Sequence, residues 1–308
     1  MKQFITNPRV RIVLAMVVFG TIALFVAHIP LPSAEIALYR AVLASLLIGG
    51  VITFRRTRKS VDGKTPTGSS GMHPRRDLPL LLLSGIAMGG NWILLFEAYK
   101  YTTVSAATLS YYFAPVLVTL VCPILFREHF GLRQGICFVG STVGVVLLTG
   151  VGAVSGSDLR GIALGLGAAC LYAAVILINK AIRSVSGIDR TLLQFLAAVV
   201  TLIPYVALTG GFHLLTLDAV GWGYLLCVGL VHTGITYCLY FSALRDLPGQ
   251  EAAILSYIDP LTAVLLSVFV LGEAIAPAQI IGGVLILGAS IANEIKLSRP
   301  NRSGENNQ

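Results

Sequence analysis

Ten apolar runs follow one another almost without interruption along the 308 residues, and this constrains the fold more than any motif does. The runs cover residues 11–28, 34–54, 78–98, 104–126, 133–151, 159–180, 189–209, 219–242, 250–271 and 276–295. A helix needs about 20 such residues to cross the hydrocarbon core of a bilayer. A lipid-exposed segment must satisfy its own backbone polar groups, so the runs are predicted to be transmembrane α-helices. Hydrophobic residues make up 56% of the chain and charged residues only 12%, about half the charged share of a soluble domain. Water is therefore excluded as the main solvent, and the predicted class is an all-α integral membrane protein with ten transmembrane helices.

The net charge of +8 does not point to nucleic acid, because Lys and Arg lie between the apolar runs rather than in one patch. With a cytoplasmic amino terminus and ten crossings, nineteen of the 22 basic residues fall on one side. Only Lys100 and Arg160 fall on the other, with Arg40 inside the second span. The positive-inside rule then places both termini in the cytoplasm and the chain in a bacterial-type cytoplasmic (inner) membrane. The stretch from Arg55 to Asp77 and the tail 296–308 are polar and read as disordered cytoplasmic segments. Lys2, Arg9 and Arg11 before the apolar run imitate a secretory signal, but the second half holds a counterpart of this segment, so it is expected to be retained. Cys122, Cys137, Cys170, Cys227 and Cys238 all lie in apolar runs without a CxxC pair, so neither disulfides nor a metal site is expected.

An internal repeat organises the spans. Shifting the chain by 145 residues lays Phe96, Ala98, Ala107, Tyr112, Pro115, Leu120, Glu128 and Gln134 on Phe241, Ala243, Ala252, Tyr257, Pro260, Leu265, Glu273 and Gln279. Apolar composition alone supplies matched alanines and leucines, but not Tyr, Pro, Glu and Gln in register. Each repeat holds five spans, residues 11–151 and 159–295. An odd number of crossings makes the second repeat enter from the opposite side, and such inverted pairs are characteristic of transporters.

These residues resemble the EamA-type repeat of the drug/metabolite transporter superfamily over nearly the whole chain, from about Val13 to Asn293. The resemblance is carried by Phe19-Gly20, Tyr39-Arg40, the run SAATLSYYFAPVLVTL ending near Glu128, and its second-half match AAILSYIDPLTAVLLSVFVLGEAI with Asp259-Pro260 and Glu273. It implies a central cavity lined by spans one, three, four, six, eight and nine, and alternating access without ATP hydrolysis. No GxxxxGK[ST] phosphate loop occurs in the chain, and no cofactor is expected.

The substrate site of such a bundle belongs near the bilayer midplane, where polar groups and broken helices meet. Pro115 and Pro260 each remove a helical hydrogen bond, freeing the carbonyls of Tyr111 and Ser256 either to bind a ligand or merely to permit a kink. Asp259 sits about ten residues into span nine, where an unpaired carboxylate is costly. It reads as a proton carrier, a seat for an ammonium group, or a neutral acid bonded to a neighbouring helix. His232 at similar depth is a second candidate for proton coupling, against the alternative of a packing histidine. Thr233, Tyr237 and Tyr240 form a hydroxyl-bearing stripe with it, and Asn91 and Trp92 match Thr236 and Tyr237 in the other repeat. Tyr111, Tyr112, Ser256 and Tyr257 complete the expected cavity lining.

Arg40, Glu35, Glu97 and Lys100 read as shallower, with Arg40 snorkelling or bonded to backbone and Glu97 either solvated or part of an outer gate. Glu128 and Glu273 read as scaffold, and the GxxxG pairs Gly85/Gly89, Gly140/Gly144 and Gly161/Gly165 as close helix contacts. The expected function is a secondary transporter, not an enzyme, that exports small metabolites such as amino acids as a monomer or homodimer, with protons as the candidate coupling ion. The absence of a deep Lys or Arg argues against phosphorylated anions. Efflux of lipophilic cations or drugs is the alternative, and a lipid-modifying enzyme a remote one that lacks any Asp-rich metal motif.

Overall fold

The computed structural model describes residues 7–61, 74–126, 131–148, 156–182, 185, 187–244, 246–247, 252 and 255–294, and every regular element among them is helical. The first span is built from α1 (Pro8–Gly20) and α2 (Ile22–Val26), followed by α3 (Ser33–Val61) and α4 (Pro74–Ala98). Next come α5 (Val104–Tyr111), α6 (Ala114–Phe126), α7 (Leu132–Leu148), α8 (Gly156–Ala181) and α9 (Gly187–Thr209). A short 3-10 turn (Leu214–Thr216) leads to α10 (Ala219–Leu226), a π-helical segment (Cys227–Ile235) and α11 (Thr236–Leu244), before α12 (Ile258–Phe269) and α13 (Pro277–Glu294).

Seven of these stretches are long and apolar enough to cross a membrane, and Leu132–Leu147, Ile258–Phe269 and Pro277–Ala292 are shorter apolar helices. The burial pattern is that of a protein dissolved in lipid. Leu46, Ile124, Val139, Val200 and Val284 are exposed, whereas Ser84, Asn91, Ser141, Gln194 and Ser290 are buried. Apolar side chains gain nothing by leaving hydrocarbon, so the interior is left for close packing and hydrogen bonds. Gln194 of α9 accordingly donates to Ser84 of α4 and to Asn179 of α8, the latter at 2.7 Å. This is a multi-pass membrane protein.

Small residues set the helix spacing, as expected from the GxxxG pairs. A Cβ at Gly85 would lie 2.4 Å from Ala197 Cβ, and one at Gly144 would lie 2.7 Å from the Gly282 carbonyl. These two glycines hold α4 against α9 and α7 against α13.

Buried or interfacial helix ends find partners. The N–H groups at the start of α5 face acceptors on Thr103 and Glu273. Thr103 receives Ala106 on its hydroxyl and Ala107 on its carbonyl, while Glu273 receives Val104 at 2.9 Å and Ser105 at 3.5 Å. Glu273 is thus a scaffold residue, as its position predicts; Glu128 lies outside the described residues. At the far end of α8, the Arg190 guanidinium donates to the carbonyls of Asn179, Ile182 and Val185 and closes the turn into α9. Arg11 of α1 pairs with Asp246 at 2.5 Å and donates to the Ser242 carbonyl at the end of α11.

Candidate functional site

Four interruptions of helical geometry converge on the centre of the bundle. The first span breaks at Gly20 and Thr21, where the Thr21 hydroxyl turns back to the Val18 carbonyl at 2.7 Å. Gly20 is required there, since a Cβ would lie 2.6 Å from both the Asp259 carbonyl oxygen and Thr262 Cβ. The second break, at Tyr112 and Phe113, separates α5 from α6, and the third, at Tyr257, precedes α12. They fall three residues before Pro115 and Pro260, whose rings cannot continue the preceding turn. The fourth is the π-helical segment, whose wider turn lets side chains reach the carbonyl five residues back. Thr233 reaches Val228, Thr236 reaches Val231 and His232 reaches Cys227 in this way.

The first three of these breaks border a cavity of about 310 Å³, reached through Gly20, Tyr112 and Tyr257, within the size range of small-molecule sites. Asn91, Trp92, Tyr111, Tyr112, Tyr237 and Tyr240 line it, as do Ser256, Tyr257, Asp259 and Pro115. Tyr112 and Tyr257, which the 145-residue offset pairs, lie with ring centroids 6.2 Å apart. Trp92 and Tyr237, a second pair of that kind, flank Phe195 at 5.3 Å each. Asn91 donates to the Ala168 carbonyl at 2.7 Å and Ser256 to the Ala252 carbonyl at 2.8 Å, so both are anchored by backbone. The Tyr112 hydroxyl donates to Asp259 Oδ2 at 2.6 Å, which gives the carboxylate a partner supplied by the other half of the chain.

Three expectations need correction. His232 and Thr233 do not line this cavity. His232 is buried behind the first-span break, with Nε2 2.8 Å from the Thr21 hydroxyl and its ring 4.5 Å from that of Phe25. It is not hydrogen-bonded to Asp259. The π-helical register turns Thr233 towards α3 instead, where its hydroxyl oxygen accepts from Arg40 Nε at 2.7 Å. Pro260, one of the two kink residues, is buried outside the lining.

The second correction concerns Arg40. It neither snorkels nor binds backbone carbonyls: it is buried, lines the cavity, and stacks its guanidinium 4.5 Å above Trp92 and 5.5 Å from Phe96. A deep cation is therefore present, contributed by the second span, which the family resemblance did not place in the lining. Phosphorylated anions are no longer excluded for want of a cation; they meet an obstacle instead in the Asp259 carboxylate in the same cavity.

Third, Glu35 is fully buried and takes both the backbone N–H of His213, at 2.8 Å, and its ring Nδ1, at 2.6 Å. Glu97 accepts from Ser33 at 2.7 Å and from Lys100 at 3.0 Å, tying the end of α4 to the start of α3.

Sequence reasoning also missed Tyr99, just beyond α4, and Tyr172 of α8, both of which line the cavity. Tyr172 carried a signal, as the lone aromatic residue in the apolar run 159–180. Its ring lies 5.2 Å from that of Tyr111.

A bundle of apolar spans around an aromatic cavity that holds one acid, Asp259, and one guanidinium, Arg40, has the make-up of a membrane transport protein. The EamA-like transporter family matches residues 10–150 and again 159–293, and the chain belongs to that family. An uncharacterized transporter of Bacillus subtilis, YxxF, is 31% identical over 280 residues, covering 90% of this chain and 86% of that one. The threonine/homoserine exporter RhtA of Escherichia coli K12 is 27% identical over 232 residues, covering 74% and 75%. A solved crystal structure sharing 16% identity superposes with a TM-score of 0.59 over 92% of this chain and 94% of its own, and so shares the fold.

Proposed function

We propose that this protein is a secondary transporter that exports small metabolites, amino acids foremost, across a bacterial cytoplasmic membrane by alternating access about the central cavity. The observation that carries the reading is the Asp259–Tyr112 pair, a carboxylate held open to a small aromatic chamber in the middle of an apolar bundle. An ionisable group is kept at that depth for function far more often than for stability. Membership of a transporter family and the likeness to a threonine/homoserine exporter support the same conclusion.

Seven long spans and three shorter apolar helices supply ten crossings, arranged as two inverted five-helix repeats, residues 11–151 and 159–295. Both termini and the tail 296–308 then lie in the cytoplasm, with nineteen of the 22 basic residues on that side. Asp259 is the group through which a proton gradient would act.

Counterflow in liposomes tests the reading. Protein reconstituted with internal unlabelled threonine is expected to accumulate labelled threonine, with a rate that responds to an imposed pH gradient. Accumulation of lipophilic cations with none of any amino acid would overturn the substrate class, and indifference to the gradient would overturn coupling through Asp259. Efflux of lipophilic cations is the second reading, favoured by the ring of tyrosines and the single acid. It predicts that Asp259→Asn abolishes cation resistance while amino-acid export persists.

A further inference from the structure

The Arg40 guanidinium is only partly used by the fold. Of its three nitrogens, Nε donates to Thr233 at 2.7 Å. Among the described residues, neither Nη1 nor Nη2 has a hydrogen-bond acceptor, and no carboxylate lies at ion-pair distance from the group. The side chain is nonetheless 5% exposed and fronts the cavity. A guanidinium cannot shed its charge by losing a proton, so burial without a counter-ion is costly unless something else completes it. The face of Trp92 at 4.5 Å offsets part of that cost.

Its orientation is set with care. The Thr233 hydroxyl donates its own proton to the Val228 carbonyl at 2.7 Å, a contact available only because the helix is π-helical there. The oxygen's lone pairs are thus left for Arg40 Nε. With Nε fixed and the plane stacked on Trp92, the two terminal nitrogens form a fork, the geometry that matches a carboxylate with two parallel hydrogen bonds.

We propose that Arg40 is the carboxylate-binding pole of the cavity, that Thr233 is its positioning residue, and that with Asp259 opposite in charge the chamber selects zwitterions bearing both an ammonium and a carboxylate. This rests on the cavity being the substrate site. A lipophilic cation meets Asp259 but is repelled by Arg40, and a phosphorylated anion meets Arg40 but is repelled by Asp259. An α-amino acid satisfies both.

Trp92 provides a direct readout. The chain has two tryptophans, so Trp222→Phe leaves the indole stacked on Arg40 as the reporter. Purified Trp222→Phe protein is titrated with L-threonine and with L-threonine methyl ester, which keeps the ammonium and loses the carboxylate charge. Threonine is expected to bind roughly 10- to 100-fold tighter, as for loss of one charged hydrogen bond.

Adding Arg40→Gln is expected to erase that preference by weakening threonine while the ester binds as tightly as before or more tightly. Arg40→Lys is expected to restore part of it, and Thr233→Val to weaken threonine several-fold with the ester unchanged. Equal binding of the two ligands, a preference that survives Arg40→Gln, or no response to threonine overturns the proposal. So does an equal loss of both ligands, which marks Arg40 as a strut. If Arg40→Gln does not fold, Arg40→Lys and Thr233→Val decide. Discrimination by Trp92 without any counterflow sinks the exporter reading alone, whereas amino-acid counterflow indifferent to Arg40 sinks this one alone.

Discussion

Removing the carboxylate of Glu273 probes how the two halves of the bundle are joined. Its Oε1 accepts the Val104 N–H at 2.9 Å, and its Oε2 accepts the Ser267 hydroxyl and, at 3.5 Å, the Ser105 N–H. One strong charged hydrogen bond is worth about 1.5–3 kcal/mol and a neutral hydroxyl about 1 kcal/mol; the 3.5 Å contact is too long to count. Placing the anion at a helix N-terminus adds a few tenths of a kcal/mol or more. Glu273→Ala is therefore expected to destabilise the fold by about 3–5 kcal/mol, summing these terms. Glu273→Gln keeps one carbonyl for Val104 and is expected to lose about half as much, while Glu273→Asp falls short by a methylene and resembles Ala. The measurement is equilibrium unfolding in mixed micelles, read by helical circular dichroism. An alanine variant as stable as the parent would refute the capping assignment. A glutamine variant as unstable as alanine would show that the charge, and not the hydrogen-bond geometry, is what α5 requires.

Gly85→Ala forces a Cβ to within 2.4 Å of Ala197 Cβ and is expected to cost about 1–3 kcal/mol through overpacking. Gly50→Ala, with nothing within 4 Å, is expected to be neutral or to stabilise by up to about 1 kcal/mol; thermal unfolding compares the two. Arg190→Lys keeps the charge but cannot reach the carbonyls of Asn179, Ile182 and Val185 together, and is expected to lower stability by about 1–3 kcal/mol. Asp259→Asn preserves shape and an acceptor for Tyr112 while deleting the negative pole. Amino-acid counterflow is expected to fall at least roughly tenfold, as for one lost charged contact, and to lose its response to a pH gradient.

The apolar runs made the helical membrane class legible, because hydrocarbon leaves the backbone almost no alternative. The breaks at Tyr112 and Tyr257 were legible too, since proline enforces them locally. Arg40 and His232 were not. Depth along a span can be counted from residue numbers, but the direction a side chain faces depends on helix rotation. The π-helical segment from Cys227 to Ile235 changes that rotation without any proline to announce it. A stripe drawn at ordinary helical spacing through Thr233, Tyr237 and Tyr240 therefore put Thr233 on the cavity face, whereas the widened turn gives it to Arg40.

Symmetry and its loss divide the labour in this bundle. The 145-residue offset brings Tyr112 beside Tyr257 and places Trp92 and Tyr237 on either side of Phe195. The repeat thus supplies an aromatic chamber at its own junction. Asp259, however, corresponds under the same offset to Ala114, a buried residue with no charge to offer. The Tyr112 hydroxyl that binds Asp259 reaches across the two halves to a partner its own counterpart lacks. A symmetric pair of acids would repel each other in so small a space, and one of them would have to stay neutral. Among the described residues that line it, the chamber holds one acid, Asp259, and one guanidinium, Arg40, so the proposed zwitterion would sit in it in a single orientation.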